Sequence, residues 1–412
     1  MNNPRILFIA PSSYPIFGAE ANVNAKLIKV LTESGAVLDV ISRAPRHNMP
    51  IYPESTNEKF FHKVASINVI ETDTKRNLKT ILRHIKTFLK FGFVYKAADW
   101  AIDALPICES LIKRHKYDYI YTFNQPSEIL GLYLSKKYSI PLVATWNDPY
   151  VWERYPKPYG FGPHCKISQN REKLISGLGK SCYKHIFPSL RLMKYMQKYM
   201  PGITEHNSVI CPHIMLERLE RNRISDNTLR IIHSGALGRE RNPIKFLRAL
   251  SHFVAKNPEA MIEVSFLGVV ERMDTKSIFD FVTEYKLERY VRFLPAVSYE
   301  ESINELRNYD LSLIIEANCD EGIFLPSKVS DYLQAGIPIY TISPSKGVLN
   351  DLYREGIINY FSDCNNEDSI TEALELIYKD FTDKRLVTAQ SVAYNRFGGE
   401  AIYNLHNKYI WE

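Results

Sequence analysis

The feature that most limits the fold of this chain is an alternation of short β-branched strands with helical segments, which occurs twice. In the first set, an apolar run over residues 5–10 is followed by a helical apolar spacing over residues 19–34 and a second run over residues 37–42. Such an order implies parallel strands joined by a right-handed crossover. Residues 229–234 begin a second set, so we predict an α/β protein with two doubly wound domains.

The boundary between the two sets is expected in the stretch 200–228, where prolines, a glycine and a charged run interrupt the pattern. We therefore expect one domain at residues 1–205 and another at residues 206–385. By analogy, a C-terminal helix over residues 386–412 would pack back on the N-terminal domain. Ligands of parallel sheets bind at the carboxyl ends of the strands, so the expected site is the cleft between the domains.

Charge and cysteine content restrict the function. The chain has six Cys and no C-x-x-C pair, which excludes a disulfide scaffold and disfavours structural zinc. Scattered thiols and the lack of a signal peptide or an apolar span predict a cytoplasmic protein. Residues 1–205 hold 29 Lys and Arg against 16 Asp and Glu, whereas the remainder holds 23 against 30. The basic half is expected to face an anionic partner.

A glycine loop follows the first predicted strand. Gly18 and Ala19 stand where the first helix opens, so free N–H groups and the positive end of the helix dipole would be available to a phosphate. The alternative is a glycine that only makes the turn.

A second loop follows the strand that opens the second half. Gly235 leaves room at the strand end, and Arg239 and Arg241 present planar forks that suit a diphosphate. Lys245 would add a point charge. The alternative is a solvated basic loop, partly neutralised by Glu240.

A third patterned string starts a helix near residue 327. Ser327 is a suitable N-cap, and Lys328 with the first-turn amides would hold phosphate oxygens. Asp331 lies one turn further along, where it would accept hydrogen bonds from ribose hydroxyls. The alternative is a capped helix with a solvated aspartate.

Together these strings resemble the motifs of the retaining, nucleotide-sugar-dependent glycosyltransferases of family four, in its capsule and lipopolysaccharide branches. Residues 18–20 are similar to the Gly-Gly-x-Glu loop, with Ala19 replacing the second Gly. Residues 235–241 are similar to the Gly-Arg…Lys diphosphate loop, with Arg241 where Lys is more usual. Residues 326–338 are similar to the Pro-Ser-Lys…Glu-Tyr-Leu…Ala-Gly-x-Pro string.

The resemblance implies a GT-B fold, in which two Rossmann-like domains face each other across a cleft. It implies a hexosyltransferase that moves a sugar, with retention, from a nucleoside-diphosphate sugar to a saccharide or lipid-linked acceptor in surface polysaccharide synthesis. UDP and GDP are the expected donor nucleotides. Pro295 and Val297 are expected to contact the nucleotide, since residues 292–298 resemble the family's base-contacting strand end. Leu325, directly before the 326–338 string, is a further expected nucleotide-binding residue.

The chain departs from the family at its paired glutamates, which stand eight residues apart. Asp331 occupies the second position and Ile323 the first, so Glu321 and Glu316 are the candidates for contact with the donor sugar. Asp148 is the candidate for a polar contact with the reacting sugar or the acceptor. Its alternative role is that of a turn aspartate before Pro149.

No Asp-x-Asp pair occurs in the chain, so we expect neither a metal ion nor another cofactor. Arginine, lysine and helix dipoles would then neutralise the charge that develops on the leaving nucleoside diphosphate, as the resemblance also implies.

A basic amphipathic stretch lies between Lys75 and Lys96. It carries seven Lys and Arg, and no acidic residue occurs between Asp73 and Asp99. Such a helix is typical of proteins that rest on the anionic inner face of a membrane, which would suit a lipid-linked acceptor. The alternative is a surface helix that packs its apolar face on the core. Nucleic acid is not an expected partner, because no recognised module is present.

Two other functions remain open. A sugar-nucleotide epimerase on the same fold would need several carboxylates and histidines together for proton transfer, and no such cluster is evident in the sequence. A non-catalytic sugar-nucleotide-binding protein is the third possibility, because the glutamate pair is degenerate.

Overall fold

The computed structural model describes residues 3–45, 56, 58–72, 78–92, 98–222, 226–269, 276–386 and 390–412. The chain divides into two compact units. The first unit comprises Met1–Tyr155, Gly162–Ile214 and Gly399–Glu412. The second comprises Pro156–Phe161 and Met215–Gly398.

A seven-stranded parallel sheet forms the centre of the first unit. Its strands are β1 (Arg5–Ile9), β2 (Val37–Arg43), β3 (Ser66–Ile70), β4 (Tyr119–Phe123), β5 (Leu142–Thr145), β6 (Lys184–Phe187) and β7 (Ser208–Ile210). They lie in the order β3-β2-β1-β4-β5-β6-β7, and Phe8 on β1 is opposite Val40 of β2 and Tyr121 of β4. Every residue of β1 after Arg5 is buried, because helices cover both faces of such a sheet.

The helices of the first unit follow its strands. They are α1 (Gly18–Glu33), α2 (Glu58–Phe61), α3 (Leu78–Phe91), α4 (Ala98–Arg114), α5 (Ser127–Tyr138), α6 (Gln169–Ser181) and α7 (Leu190–Gln197). Helix α1 shows why they form: it buries Ala21, Ala25, Ile28 and Leu31, which share one face at helical spacing. A short 3₁₀ turn spans Trp152–Arg154.

A six-stranded parallel sheet forms the centre of the second unit, in the order β10-β9-β8-β11-β12-β13. The strands are β8 (Leu229–Ser234), β9 (Ile262–Leu267), β10 (Val291–Leu294), β11 (Leu311–Ile315), β12 (Ile339–Ser343) and β13 (Tyr360–Asp363). Successive side chains of β11 enter different cores, with Leu313 in one and Ile314 in the other. This alternation is what a sheet buried on both faces requires.

Seven helices are described in the second unit, and the last helix of the chain returns to the first. Those of the second unit are α8 (Ile244–Lys256), α9 (Ile278–Glu284), α10 (Tyr299–Leu306), α11 (Lys328–Ala335), α12 (Val348–Arg354), α13 (Glu367–Thr382) and α14 (Gln390–Phe397). Helix α15 (Gly399–His406) and a π-helical turn (Asn407–Trp411) end the chain in the first unit.

The order of strands reverses direction once in each sheet, between β1 and β4 and between β8 and β11. The crossovers therefore diverge to opposite sides at those points and leave a crevice beyond the carboxyl ends of the strands. Ligands of doubly wound sheets bind there. The predicted α/β class with two doubly wound domains is confirmed.

The limits of the two units differ from the expected domains at three places. Ser208–Ile210 pairs with β6, so the first sheet extends past residue 205 and the first unit continues to Ile214. In the tail, only Gly399–Glu412 belongs to the first unit, where Trp411 Nε1 donates a 3.0 Å hydrogen bond to the Tyr121 hydroxyl. Pro156–Phe161 belongs to the second unit.

Helix α3 covers the middle of the basic stretch, while Lys75, Arg76 and Lys96 lie outside the described residues. One side of the helix packs on α4, through a 3.1 Å ion pair between Arg83 and Asp103. The opposite side presents apolar side chains that are 51 to 74% exposed, namely Ile81, Leu82, Ile85, Phe88 and Leu89. The alternative in which this apolar face packs on the core is therefore wrong.

None of the described helices is both long enough and apolar enough to cross a bilayer.

Candidate functional site

The end of β8 and the start of α11 come together in the second unit. Gly235 directly follows β8 and has a φ of +109°, a conformation that side chains disfavour. A Cβ atom at this position would lie 2.8 Å from Cε of Lys328, so a larger residue would collide with the lysine. The glycine therefore makes room for Lys328 at the carboxyl end of the central strand.

A buried histidine holds the ammonium group of Lys328. The ring of His233, the penultimate residue of β8, places Nδ1 3.0 Å from the carbonyl oxygen of Leu313 and Nε2 3.3 Å from Nζ of Lys328. Only a protonated Nδ1 can donate to the carbonyl, so Nε2 of the neutral ring accepts from the ammonium. Burial, with the charge on Lys328, lowers the pKa of His233 and so keeps the ring neutral.

The pKa of Lys328 is itself lowered to about 8, chiefly by burial and then by the charge of Arg241. A cation held in such surroundings lacks solvation. A ligand with negative charge would therefore be strongly favoured beside it.

Arg241 supplies a second cation, at the far end of the loop that follows β8. Its Nε lies 3.2 Å from Oε1 of Glu316, the first residue after β11. The guanidinium carbon lies 5.8 Å from the ring centre of Tyr159, and about a third of the Arg241 side chain is exposed. Lys328, Arg241 and Glu316 thus lie around the ends of β8 and β11, where the sheet changes direction. Two cations at this place suit the oxygens of a phosphate or a diphosphate.

Other predicted residues lie in the same loops. Arg239 adopts a positive φ of 35° in the loop between Gly235 and Arg241. Asp331, in the first turn of α11, accepts a 3.0 Å hydrogen bond from the Tyr299 hydroxyl. Ser327 precedes α11, but its side chain does not cap the helix. Its backbone carbonyl instead accepts the hydroxyl of Ser330.

Four other residues were predicted to contact the ligand, and the structure gives each of them surroundings that the sequence did not indicate. Lys245 Nζ donates a 2.8 Å hydrogen bond to the carbonyl oxygen of Cys364. Leu325 is buried in the core beneath α11, and Val297 packs against the same core. Pro295 directly follows β10 and is exposed.

The structure separates the two glutamates considered for contact with the donor sugar. Glu316 lies beside Arg241, as described above. Glu321 instead forms a 3.1 Å ion pair with Lys346. Of the two, Glu316 is the one that the structure brings to the cations.

The first unit has a polar group at the corresponding place in its own sheet. Gly18 and Ala19 are exposed at the start of α1, after β1. Glu20 accepts a 2.9 Å hydrogen bond from Nδ2 of Asn124, the residue that follows β4. Burial raises the pKa of Glu20.

Two more carboxylates lie in this part of the first unit. Glu128, in the first turn of α5, is almost fully buried and accepts a 2.5 Å hydrogen bond from the Tyr150 hydroxyl. Burial raises the pKa of Glu128 to about 8. Asp148 follows β5, and burial together with this carboxylate raises the pKa of Tyr155. The side chains here are acids and hydroxyls, which suit a ligand with hydroxyl groups.

The site residues predicted from the sequence do not include His233, Glu128 or Tyr159. The position of His233 at the end of a predicted strand was visible in the sequence. Its contact with Lys328 was not, because it depends on how α11 packs. Within the described ranges, no group of three or more His, Cys, Asp or Glu side chains is arranged to hold a metal ion.

No protein-family model matches the chain, and no curated protein matches it in sequence. Solved structures do match it along nearly the whole length. Anabaena HepE, in complex with UDP and glucose, is 16% identical over 98% of this chain and 99% of its own, with a TM-score of 0.64. Sucrose-phosphate synthase from Thermosynechococcus elongatus is 13% identical over 98% of both chains, with a TM-score of 0.65.

A third similar structure is a putative UDP-N-acetylglucosamine 2-epimerase from Listeria monocytogenes. It is 14% identical over all of this chain and 98% of its own, with a TM-score of 0.56. Together with the two sheets described above, these matches show that the chain has the GT-B fold.

Proposed function

We propose that this protein is a metal-independent, retaining glycosyltransferase that uses a nucleoside-diphosphate sugar, with UDP or GDP as the nucleotide. The observation that carries the proposal is the pair of cations, Lys328 and Arg241, at the point where the second sheet changes direction. Gly235 makes room for the Lys328 side chain at the end of β8. The structure of HepE with UDP and glucose supports the same choice of ligand class.

The proposed chemistry is the breaking of the bond between the anomeric carbon and the diphosphate. Negative charge then develops on the leaving nucleoside diphosphate. Lys328, Arg241 and Arg239 would stabilise that charge, and loss of one such group would raise the barrier by about 3 kcal/mol. The first-turn amides of α11 would add the favourable end of a helix dipole.

The remaining roles are those that the family resemblance implies. Asp331 would accept hydrogen bonds from the ribose, Glu316 or Glu321 would contact the sugar, and Asp148 would contact the acceptor. We further propose a saccharide or lipid-linked acceptor and a role in the synthesis of surface polysaccharide, as in family four.

A screen of thermal stabilisation tests the donor class. UDP-, GDP-, ADP- and CMP-sugars would be added separately, and a true ligand at 100 times its Kd adds about 2.7 kcal/mol to the free energy of unfolding. The paired variant Arg239→Ala and Arg241→Ala is the control, and it should lose most of the stabilisation by nucleoside diphosphates. A chain that none of these ligands stabilises would contradict the proposal.

Turnover then separates transfer from the alternatives. A glycosyltransferase releases free nucleoside diphosphate only when an acceptor is present. An epimerase, favoured by the likeness to the Listeria protein, would isomerise a sugar nucleotide without any acceptor. A non-catalytic binding protein would be stabilised by the ligand and would release nothing in either assay.

We also propose that α3 rests on an anionic membrane surface. Its exposed apolar side chains, from Ile81 to Leu89, occupy about a third of the helix circumference at 100° per residue. Lys86 and Lys90 are exposed and lie beside this apolar arc, and α3 itself contains no acidic residue. An apolar arc beside lysines matches the layered chemistry of acyl chains and anionic headgroups.

Sedimentation with vesicles tests this surface. Wild-type protein should sediment with vesicles that contain phosphatidylglycerol and much less with neutral phosphatidylcholine vesicles. Charge reversal of Lys86 and Lys90 should reduce the anionic preference, and Leu82→Ser with Leu89→Ser should reduce binding to both. Unchanged sedimentation of all variants would contradict membrane association through α3.

A further inference from the structure

We propose that Tyr159 is a positioning residue of the pyrophosphate site, an inference that rests on the function proposed above. Tyr159 lies in the loop Pro156–Phe161, which comes from the N-terminal half of the chain but belongs to the second unit. None of the predicted site motifs includes it.

The loop is short and closed at its base. The amide of Gly162 donates a 2.8 Å hydrogen bond to the carbonyl oxygen of Tyr155, so the chain leaves and returns at one place. Inside the loop, the amide of Gly160 donates to the carbonyl oxygen of Pro156 at 3.1 Å. A compact loop with joined ends is a common way of presenting a functional side chain.

Tyr159 makes three contacts in the second unit. Its hydroxyl lies 3.4 Å from Oε2 of Glu316, and its ring lies beneath the guanidinium of Arg241, 5.8 Å from the ring centre. The edge of the same ring packs on Phe324, with centres 5.3 Å apart and planes at 82°.

These contacts complete a triangle around Arg241. Glu316 uses Oε1 for Nε of Arg241 and Oε2 for the Tyr159 hydroxyl. The carboxylate is thereby held from two sides, and the arginine is held by the carboxylate and by the ring. The guanidinium is thereby fixed beside the ends of β8 and β11, where it can meet a phosphate oxygen. The ring face adds an electrostatic attraction for the cation.

The competing interpretation is that Tyr159 only fills space. It lines a small recess with Phe324, Gly322 and Gly347, and any bulky side chain would serve that purpose. The two interpretations differ in one respect: a positioning residue acts through Arg241, whereas a space-filling residue does not.

A double-mutant cycle makes that distinction. UDP and inorganic pyrophosphate would be titrated calorimetrically into wild type, Tyr159→Ala, Arg241→Ala and the double variant. We expect Tyr159→Ala to weaken both ligands about fivefold to tenfold. In the Arg241→Ala background, the same change should weaken them less than twofold, because the arginine that it positions is gone.

Two further variants control the experiment. Tyr159→Phe keeps the ring, and its affinity for both ligands should fall about twofold to threefold. Phe161→Ala removes another aromatic side chain of the loop, one that is 64% exposed, and should leave both affinities within twofold. If Tyr159→Ala lowers the melting temperature markedly, Tyr159→Leu replaces it in the cycle, since leucine fills the recess without a ring face.

Equal losses on both backgrounds, or no loss in any Tyr159 variant, would overturn the positioning role. A wild-type chain that binds UDP and pyrophosphate in either of those cases would leave the proposed donor site standing. A wild-type chain that binds neither ligand would overturn both proposals.

Discussion

The two sheets have the same arrangement at their points of reversal, but the side chains there differ in chemical type, with carboxyl groups in the first unit and two cations in the second. In the first unit, the ends of β1 and β4 bring together Glu20, Asn124 and Glu128. In the second, the ends of β8 and β11 bring together Lys328 and Arg241, with Glu316 as their counter-charge. The fold decides where a ligand site lies, and the side chains after the strands decide which ligand suits it.

The net charge of each half of the chain does not match the type of side chain, acid or cation, at the strand ends of its sheet. The first 205 residues are the basic part of the chain, yet the group at the end of the first sheet is acidic. The excess positive charge lies elsewhere, in part on α3. A count of charges by domain therefore did not identify the unit whose strand ends suit a pyrophosphate.

The largest expected effect concerns the acidic group and the pH dependence of stability. Burial raises the pKa of Glu128 to about 8, whereas the unfolded chain has the ordinary value near 4.5. Between these values, only the unfolded chain releases the proton, so rising pH favours unfolding. Relative to Glu128→Gln, the free energy of unfolding of wild type should fall by about 1.4 kcal/mol per pH unit, or about 4 kcal/mol from pH 5 to pH 8.

Denaturant titrations at pH 5, 6, 7 and 8 measure that difference. Glu109→Gln is the matched control, because its hydrogen bond to Lys137 lowers the pKa of Glu109. The difference in free energy of unfolding between wild type and Glu109→Gln should stay constant from pH 5 to pH 8 and should change only in more acidic solution. If the difference in free energy of unfolding between wild type and Glu128→Gln also stays constant from pH 5 to pH 8, the Glu128 carboxyl is ionised in the folded protein. The first unit would then be more acidic than we infer.

The next largest effect concerns the cations of the second unit. Lys328→Met should weaken UDP binding about 10- to 100-fold at pH 7, since hydrogen bonds to a charged group contribute about 1.5 to 3 kcal/mol. Lys256→Met removes a lysine that pairs with Glu375 at the far end of α8, and it should have no effect on affinity. Similar affinities for both variants, measured by calorimetry, would remove Lys328 from the site.

A smaller effect should appear in the pH dependence of that binding. With the pKa of Lys328 lowered to about 8, the free protein loses this charge as pH rises, and a phosphate ligand must restore it on binding. UDP affinity should therefore fall about tenfold between pH 7 and pH 9. In Lys328→Arg the cation stays charged, so the decline should disappear; a parallel decline would assign the titration to another group.

The sequence was sufficient to predict those elements that a periodic apolar pattern defines. The alternating pattern predicted β8 with its observed limits, because this strand is largely buried and flanked by clear breaks. It also placed Arg241 in the loop after β8 and Lys328 at the start of a helix, while their role in ligand binding stays a prediction. The structure places both cations at one point of the sheet, where Glu316 is a counter-charge to each of them.

The features that the sequence could not predict depend on contacts between distant segments. Glu128 reads as an ordinary first-turn acid of a helix, and only the packing of Tyr150 over it shows that it is buried. Tyr159 lies 157 positions before its partner Glu316, so no local pattern joins them. Helix α3 is different, because its amphipathic pattern left open whether the apolar side chains pack on the core, and the structure shows that they are exposed.

The smallest effect separates the nucleoside from its phosphates within the second unit. Asp331 accepts a hydrogen bond from Tyr299 and would accept another from a ribose hydroxyl. Asp331→Ala should weaken UDP about fivefold, because one hydrogen bond contributes about 1 kcal/mol, and should leave inorganic pyrophosphate unaffected. Tyr299→Phe, which keeps the carboxylate, should change either affinity less than twofold. Equal losses for UDP and pyrophosphate in Asp331→Ala would show that the carboxylate acts on the phosphate-binding cations, so that the acidic and basic groups of this unit form one electrostatic site.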